Sequence, residues 1–337
     1  MSINGRILGK VFEDNAVMIE ISSGQQNTKI LIDCGEETLS NLRISTIKGI
    51  DILCFSHFHI DHISGFDQFV RHNFNRSIPP VRIFAPKRGK EIILNRLRGF
   101  DWNYSGDSPG VWKISEIDGT SLVTTEYTNS NGFSEYSGMS LRDIKNGVFF
   151  QNKDFTISSI ALNHGIETRG YRIDEIDSIN VDKQALKKMN LPEGAWINVI
   201  KNNAVLDTHI ITVNSIQYET GFLRKNLLKI NKRDSVSVLT DFTYNENSLN
   251  EISNFIKGSK AVYCESQYLS EDEDLAESNF HLTSKKAAIL AKQAEVKKLI
   301  LFHISRRYDK KKLKNFLIEA RKVFEETYFP PSWKINL

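Results

Sequence analysis

The chain has 337 residues, of which 40% are hydrophobic, 25% are charged and seven are prolines, a composition that excludes disordered and fibrous proteins and indicates a large globular core. No apolar run approaches the roughly 20 residues that span a bilayer, so we expect no membrane segment and a cytoplasmic location. The three cysteines are far apart and include no Cys-x-x-Cys pair, which predicts core thiols without disulfides.

The net charge of +3 is too small to indicate nucleic-acid binding, but charge is distributed unevenly along the chain. Residues 285–322 contain thirteen lysines and arginines and three acids, whereas residues 101–143 contain seven acids and two bases. The first segment could attract a polyanion and the second would repel one. For the run Lys310-Lys311-Lys312 alone, a solvated helix face is an equally good interpretation.

Short apolar runs rich in β-branched residues predict the first strands, at 16–21, 29–33, 50–55 and 81–85. Apolar residues at helical spacing predict helices over 64–74 and 87–98. Residues 101–152 are rich in Gly, Ser, Asn and Tyr, and we interpret them as an insertion of hairpins and loops.

Strands and helices alternate in the second half of the chain. We predict strands at 155–162, 235–240, 261–265 and 298–302, and helices at 248–256, 283–294 and 310–326. This order predicts two packed sheets with helices outside them. No change in composition marks a boundary, so a single domain over residues 1–337 is expected.

The segment from Ser56 to His62 reads Ser-His-Phe-His-Ile-Asp-His and contains four metal-binding side chains. In an extended segment His57, His59 and Asp61 would share one side, and the following turn would direct His62 to a second ion. Zinc prefers imidazole and carboxylate ligands, and such side chains converge in loops at strand ends. The motif therefore predicts a dinuclear zinc hydrolase.

The order of further motifs along most of the chain resembles the ribonuclease Z family, the tRNA 3′-processing endonucleases of the metallo-β-lactamase superfamily. The matching segments are Leu31-Ile-Asp-Cys-Gly-Glu36, residues 56–65, Phe84-Ala-Pro-Lys87, Asn163-His164 with Gly170-Tyr171-Arg172, Leu239-Thr240-Asp241, Cys264-Glu265, His281-Leu-Thr-Ser284, and residues 296–308. The resemblance implies an α/β protein with the metallo-β-lactamase fold, a four-layer αββα sandwich.

The resemblance also implies a ligand set for two Zn²⁺ ions per chain, with Mn²⁺ as a substitute. One ion would be bound by His57, His59 and His164. The other would be bound by Asp61, His62 and His303, with Asp241 as the bridge.

Three residues are expected to act in catalysis. Asp61 would accept a hydrogen bond from the nucleophile, and the resemblance implies that His281, oriented by Glu265, protonates the leaving oxygen. Because they follow His303 directly, three further side chains could hold phosphate oxygens, namely Ser305, Arg307 and Tyr308. We expect Arg306 to point away and Asp33 to support the metal loop through hydrogen bonds. The remaining histidines, His72 and His209, have no partners at ligand spacing.

Two segments depart from the family pattern. Residues 7–12 lack the loop with proline and arginine through which the family helps to recognise its substrate, so substrate recognition could differ from that of the family. The projecting tRNA-binding arm would be reduced to about residues 180–215, for which an ordinary helix and loop is an equal alternative. The resemblance further implies a homodimer.

These features predict a zinc-dependent phosphodiesterase, an endoribonuclease that cleaves tRNA precursors or structured RNA through attack of a metal-bound hydroxide. One alternative keeps the metals but assigns a cyclic or small nucleotide as the substrate. A second alternative is a metal-containing RNA-binding or regulatory subunit whose catalysis is incidental.

Overall fold

A computed structural model describes residues 2–23, 26–103, 108–231 and 234–335. Contacts divide the chain into two compact units, of which the larger comprises Met1–Glu175 with Asp234–Leu337 and the smaller Ile176–Arg233. The sequence predicted one domain with a possible arm at about residues 180–215, and the smaller unit includes that range.

The strands, in chain order, are β1 (Ser2–Leu8), β2 (Ala16–Ser22), β3 (Asn27–Ile32), β4 (Ile52–Cys54), β5 (Val81–Pro86), β6 (Val111–Asp118), β7 (Ser121–Thr128), β8 (Tyr136–Asp143), β9 (Val148–Gln151), β10 (Phe155–Asn163), β11 (Glu167–Glu175), β12 (Ser178–Val181), β13 (Ile210–Val213), β14 (Ile216–Glu219), β15 (Leu228–Asn231), β16 (Ser235–Leu239), β17 (Ala261–Glu265), β18 (Leu299–Phe302) and β19 (Thr327–Tyr328).

The helices are α1 (Ile44–Lys48), α2 (Ile60–Ile63), α3 (Phe66–Asn73), α4 (Gly89–Leu97), α5 (Lys183–Lys188), α6 (Trp196–Lys201), α7 (Thr220–Leu227), α8 (Glu246–Ile256), α9 (Glu273–Ser278), α10 (Ser284–Gln293) and α11 (Leu313–Arg321). Most of the elements predicted from hydrophobic periodicity are present, with ends that differ by a few residues. In the described parts of the chain, no helix combines the length and apolar character needed to cross a membrane.

Two sheets form the centre of the larger unit. Within the described residues the first has the order β1-β2-β3-β4-β5-β6-β7-β8, and the second has the order β19-β18-β17-β16-β11-β10-β9. Strands β3 to β6 are parallel, as are β16 to β19, whereas the remaining neighbours in both sheets are antiparallel. The carboxyl ends of these parallel strands carry the loops described below.

Three hydrophobic clusters explain why the layers stack. Because side chains alternate along a strand, Ile19 of β2 packs with Tyr171 and Val238 between the sheets, whereas Met18 packs against α1, α3 and α4 outside the first sheet. A third cluster joins the second sheet to α8, α10 and α11. The result is the predicted four-layer αββα sandwich of the metallo-β-lactamase fold.

Residues 101–152 are not a peripheral insertion as expected. They supply β6, β7 and β8 of the first sheet, and Trp112 of β6 is fully buried against Phe66, Phe69 and Phe133. The acidic side chains of this region are partly neutralised by lysines, in the pairs Asp118–Lys87 at 2.9 Å, Glu126–Lys113 at 2.9 Å and Glu116–Lys90 at 3.8 Å. The acidic composition therefore overstates the negative charge of this surface.

The smaller unit has its own core. It contains α5, α6 and α7 with two short antiparallel strand pairs, β12–β15 and β13–β14. The buried side chains include Leu186, Leu191, Ile200, Leu223 and Leu227. The unit contains the range 180–215 in which the sequence suggested an arm, and extends it on both sides.

Candidate metal centre

The metal-binding motif begins in the loop after β4, which carries His57 and His59, and continues into α2, which carries Asp61 and His62. Asp33 holds this segment in shape. Its carboxylate accepts hydrogen bonds from the Ser56 amide and the Ser56 hydroxyl, both at 2.7 Å, and from His62 Nδ1 at 2.8 Å. Two glycines allow the chain to pass closely behind the loop. A Cβ at Gly35 would lie 2.3 Å from the Asp61 carbonyl oxygen, and one at Gly65 would lie 2.2 Å from the Gly35 carbonyl oxygen. Asp33 thus occupies the supporting position expected for it.

The other candidate ligands lie just after strands of the second sheet. His164 follows β10, Asp241 is the second residue after β16, and His303 follows β18 directly. Asp241 has a φ of 46° and His303 a φ of 58°, in the left-handed region that costs non-glycine residues of order 1 kcal/mol or more. This turn of the backbone lets both side chains converge on the motif.

Three histidines form the first ligand group. The nitrogen atoms that His57, His59 and His164 can offer lie within 4.8 Å of one another, and His59 Nδ1 is 3.2 Å from His164 Nε2. His57 Nδ1 contacts the Ser56 hydroxyl at 3.0 Å, while its Nε2 is buried and has no hydrogen-bond partner. Such an orphaned nitrogen is costly unless something binds it, so this observation fits a metal ion.

The second group contains Asp61, His62, Asp241 and His303, whose ligand atoms also lie within 4.8 Å of one another. His62 Nε2 is 3.2 Å from Asp241 Oδ2 and 3.5 Å from Asp61 Oδ2. His303 Nε2 is 3.4 Å from Asp61 Oδ2.

Asp241, a member of the second group, also approaches the first. Its Oδ2 atom, besides approaching His62, is 3.8 Å from both His57 Nε2 and His164 Nε2. One carboxylate thus faces the nitrogen atoms of both groups. The residues present therefore fit a pair of neighbouring divalent metal ions.

The protonation of the groups depends on burial and on their neighbours. Burial, helped by repulsion from His62, lowers the pKa of His57 to about 2, which leaves the imidazole neutral as a metal ligand must be. Burial opposes the charge of His62, yet Asp241 and Asp33 hold its pKa well above the usual range. Although burial also opposes the charge of Asp241, His303 and His62 keep its pKa well below normal.

A His–Glu pair adjoins the ligand groups. His281 Nδ1 is 3.0 Å from Glu265 Oε1, and the two rings of His281 and His164 are 4.8 Å apart. Backbone amides of Phe242 and Gln267 donate to the Glu265 carboxylate, at 2.9 and 3.2 Å, and fix its position at the end of β17. Burial opposes the imidazolium, but the Glu265 carboxylate raises the pKa of His281 to about 9.

Three supporting residues carried no signal in the sequence. Asn15 Oδ1 accepts a hydrogen bond from the His303 amide at 3.2 Å, and Gln267 Nε2 lies 3.3 Å from His303 Nδ1. Asp14 accepts from the Glu36 amide at 2.9 Å and from the Ser64 hydroxyl at 3.2 Å. The loop after β1 thereby holds both the metal loop and the His303 segment. Each contact joins residues far apart in the chain, which is why periodicity and motifs could not reveal it.

The three expected phosphate contacts have different positions. Ser305 lines a cavity of about 560 Å³ that also contacts Asp61 and His303, so it faces the metal groups. The hydroxyl of Tyr308 donates to Asp272 and accepts from the Leu269 amide, and its ring is buried. Tyr308 therefore does not fit the phosphate-binding role that was expected.

The two arginines exchange the orientations expected for them. Arg307 lies 3.6 Å from Asp272 and against the rings of Tyr268 and Tyr308, outside the cavity lining. Arg306, which was expected to point away, lines the cavity and donates from Nε to the Phe12 carbonyl oxygen at 3.0 Å. This bond and a contact of the guanidinium with Asp14 Oδ1 at 3.3 Å hold Arg306 in this orientation.

The remaining histidines are not part of the site. His72 is half-buried on α3, and His209 is exposed in the smaller unit. Neither belongs to a group of potential metal ligands within the described residues. The three cysteines are buried free thiols, as expected.

Comparison with solved structures agrees with this fold. YhfI from Bacillus subtilis, a metallo-β-lactamase fold protein, matches with a TM-score of 0.57 and 14% identity over 98% of this chain and 96% of that chain. The short form of human tRNase Z matches with a TM-score of 0.53 and 14% identity over 98% and 96%. At such low identity these similarities establish the fold alone.

Comparison of the sequence is more specific. Residues 10–129 match the model of the metallo-beta-lactamase superfamily. Ribonuclease Z from Deinococcus radiodurans is 31% identical over 98% of this chain and 98% of its own length. Ribonuclease Z from Protochlamydia amoebophila is 30% identical over 91% of this chain and 88% of its own length. The chain therefore belongs to the ribonuclease Z family of the metallo-β-lactamase superfamily, and it is a metal-dependent hydrolase.

Proposed function

We propose that the protein is a zinc-dependent phosphodiesterase that acts as an endoribonuclease on tRNA precursors or similarly structured RNA. The observation that carries the proposal is the joining of two ligand groups through Asp241, with the His281–Glu265 pair directly beside them. The name of its relatives, ribonuclease Z, supports RNA as the substrate.

In this proposal His57, His59 and His164 would hold one Zn²⁺, Asp61, His62 and His303 would hold the other, and Asp241 would be available to both. When bound, two such ions lower the pKa of water toward neutrality and neutralise charge on a phosphodiester. Asp61, which is half-buried beside His303, orients the attacking water by accepting a hydrogen bond.

His281 protonates the leaving oxygen. Its Nδ1 is held by Glu265, so its Nε2 is free to carry a proton toward the substrate. The buried Glu265 carboxylate favours the protonated imidazole. Ser305 and Arg306, which line the adjoining cavity, supply a hydroxyl and a guanidinium to the phosphate oxygens.

Activity measurements test the reaction and its substrate. The purified protein, loaded with zinc, is incubated with a 3′-extended tRNA precursor, with cyclic nucleotides and with bis-p-nitrophenyl phosphate. We expect cleavage of the precursor at a single position near its 3′ end. Preferential hydrolysis of a cyclic nucleotide would replace RNA by a small substrate. Failure to cleave any of these substrates, with zinc or with Mn²⁺, would refute the proposed phosphodiesterase activity and favour a regulatory subunit.

Replacing the acid separates its role from that of the ligands. The variant His281→Ala should cleave RNA, which has a poor alkoxide leaving group, roughly 10²-fold more slowly, and it should hydrolyse the activated nitrophenyl ester nearly as well as the wild type. His72→Ala, a histidine outside the site, is the control. Equal losses on both substrates would show that His281 is not the acid.

Metal analysis tests the ligand set. We expect about two zinc ions per chain after reconstitution, and fewer in His164→Ala. A wild-type protein that holds less than about one ion per chain would contradict the dinuclear centre.

The smaller unit is proposed to be a reduced RNA-binding arm. Lys187 and Lys188 on α5 are exposed, and neither forms an ion pair with a described carboxylate. By the family resemblance we also propose a homodimer, which light scattering of the purified protein tests directly. A monomer at micromolar concentration would refute it.

A further inference from the structure

The face of α11 that points away from the core is unusually basic. Leu313, Phe316 and Leu317 are buried against the second sheet, whereas Lys310, Lys311 and Lys314 are exposed near the start of the helix. Arg321 is exposed further along α11 and lines the same depression as these lysines. The basic composition of residues 285–322 thus includes one cluster of cations on one face.

These cations lack acidic partners. Within the described residues no carboxylate forms an ion pair with Lys310, Lys311 or Lys314, whereas Lys312 pairs with Glu271 at 2.7 Å. Lys334, which is exposed beside Ile335, likewise has no described ion-pair partner. Unpaired cations at this density produce a positive potential that favours a polyanion.

Two depressions in the surface lie on this face of the protein. One, of about 530 Å³, is lined by Lys310, Lys311, Lys314 and Arg321 around the apolar side chains of Leu317 and Ile318. The other, of about 370 Å³, shares Lys310 with the first and is also lined by Lys10 and Lys334. We call the cluster of Lys310, Lys311, Lys314, Arg321 and Lys334 the α11 patch.

The α11 patch adjoins the metal cavity through two chain segments. Residues 10–14 contribute to both, because Lys10 lines the second depression while Phe12 and Asp14 line the cavity beside Asp61. Arg306 lines the same cavity, and Lys310 follows it by four residues, which limits the separation of their Cα atoms to about 14 Å. Trp333 also donates to the Gly9 carbonyl oxygen at 3.3 Å, which keeps Lys334 near the loop after β1.

We propose that the α11 patch binds the phosphodiester backbone of the RNA next to the bond that is cleaved. This inference rests on the proposed function and adds to it a binding surface in the larger unit, separate from the smaller unit. Charge complementarity and continuity with the metal cavity favour RNA over a protein partner. Lysines on flexible stems contact phosphates without reading sequence, so the α11 patch contributes affinity and not base specificity.

The test uses the variant K310A/K311A/K314A in the full-length, zinc-loaded protein. The matched control is K48A/K153A/K292A, which removes three exposed lysines that also lack described ion pairs and lie elsewhere. Binding of a fluorescent RNA hairpin is followed by anisotropy between roughly 50 and 200 mM salt, since each phosphate contact adds about 0.7 to 0.9 to the slope of log affinity against log salt.

We expect the patch variant to bind the hairpin about 10- to 100-fold more weakly at about 0.1 M salt, with a slope that is smaller by about 2 to 3. The ratio of kcat/KM for the tRNA precursor to that for bis-p-nitrophenyl phosphate should fall by a similar factor. This ratio isolates RNA binding, because any damage to the metal centre would affect both substrates.

An affinity and slope equal to those of the control variant would overturn the inference. So would an unchanged RNA affinity together with a loss of binding to phosphatidylserine vesicles, which would assign the α11 patch to a membrane surface. The anisotropy measurement does not require cleavage. If the wild type binds RNA through the α11 patch but cleaves none, the proposed function fails and the inferred surface stands.

Discussion

Asp33 is predicted to control metal affinity without touching a metal ion. Its carboxylate accepts from three donors, the Ser56 amide, the Ser56 hydroxyl and His62 Nδ1, at 2.7 to 2.8 Å. His62 Nε2 faces Asp241 and Asp61, where a metal ion would displace its proton, and the hydrogen bond from Nδ1 to Asp33 would keep the remaining proton on Nδ1. The carboxylate therefore selects the tautomer of His62 that can act as a ligand.

The substitution Asp33→Asn removes the preference for this tautomer of His62 but keeps the size of the side chain at position 33. Asparagine tolerates the φ of 61° at this position, so the backbone need not change. Its side chain has one acceptor oxygen and one NH₂ group, so it cannot accept from both the Ser56 amide and His62 Nδ1. If the NH₂ group faces His62, the imidazole proton must move to Nε2 and block the ligand atom. An unpaired buried donor costs about 1 to 3 kcal/mol, which corresponds to a loss of roughly 10- to 100-fold in metal affinity.

Competition between the protein and a chelating indicator measures the zinc affinity of Asp33→Asn. The control is Asp234→Asn, whose carboxylate pairs with Lys260 at 2.9 Å and Lys297 at 3.5 Å and contacts no candidate ligand. We expect weaker binding at one of two sites in Asp33→Asn and none of this effect in the control. A zinc affinity of Asp33→Asn within about twofold of the wild type would refute the tautomer argument.

Three further predictions concern the stability of the folded protein. A Cβ at Gly170 would lie 2.7 Å from Leu239 Cδ2, so Gly170→Val should lower the free energy of unfolding, measured in urea, by about 1 to 3 kcal/mol. An unchanged urea midpoint would contradict this packing. Trp112→Ala should lower the free energy of unfolding by about 3 to 5 kcal/mol and lower the Tm, because the indole is fully buried among aromatic rings. A loss below about 1 kcal/mol would show that the surrounding side chains fill the cavity. Zinc at about 1,000 times its Kd should stabilise the folded protein by about 4 kcal/mol, and EDTA should reverse this effect. A Tm that changes with neither zinc nor EDTA would exclude zinc binding to the native state.

Local patterns were sufficient for the elements and for the candidate ligands. The strand at residues 261–265 was predicted over the same residues that form β17, because its apolar run is bounded on both sides by turn residues. The candidate metal ligands could also be predicted from local sequence. Four of them lie in one short segment, and His164, Asp241 and His303 each follow a strand, where the chain order of the family motifs could be matched.

The orientation of a side chain toward or away from the metal cavity could not be predicted from neighbouring residues. Arg306 and Arg307 are neighbours of the same type, and nothing local distinguishes them. Arg306 turns toward the cavity because its guanidinium bonds to the Phe12 carbonyl oxygen, 294 residues away in the chain. Tyr308 is drawn into the core because Asp272 and the Leu269 amide satisfy its hydroxyl.

The same division applies to the whole molecule. The sequence by itself determined the elements, the metal motif and the family, because hydrophobic period, residue type and motif order are properties of neighbouring residues. Only the tertiary structure decided that residues 101–152 complete the first sheet, that residues 176–233 form a separate unit, and that the unpaired cations of α11 face one surface. These outcomes depend on pairing between strands and on ion pairs between distant side chains, which a pattern along the chain does not contain.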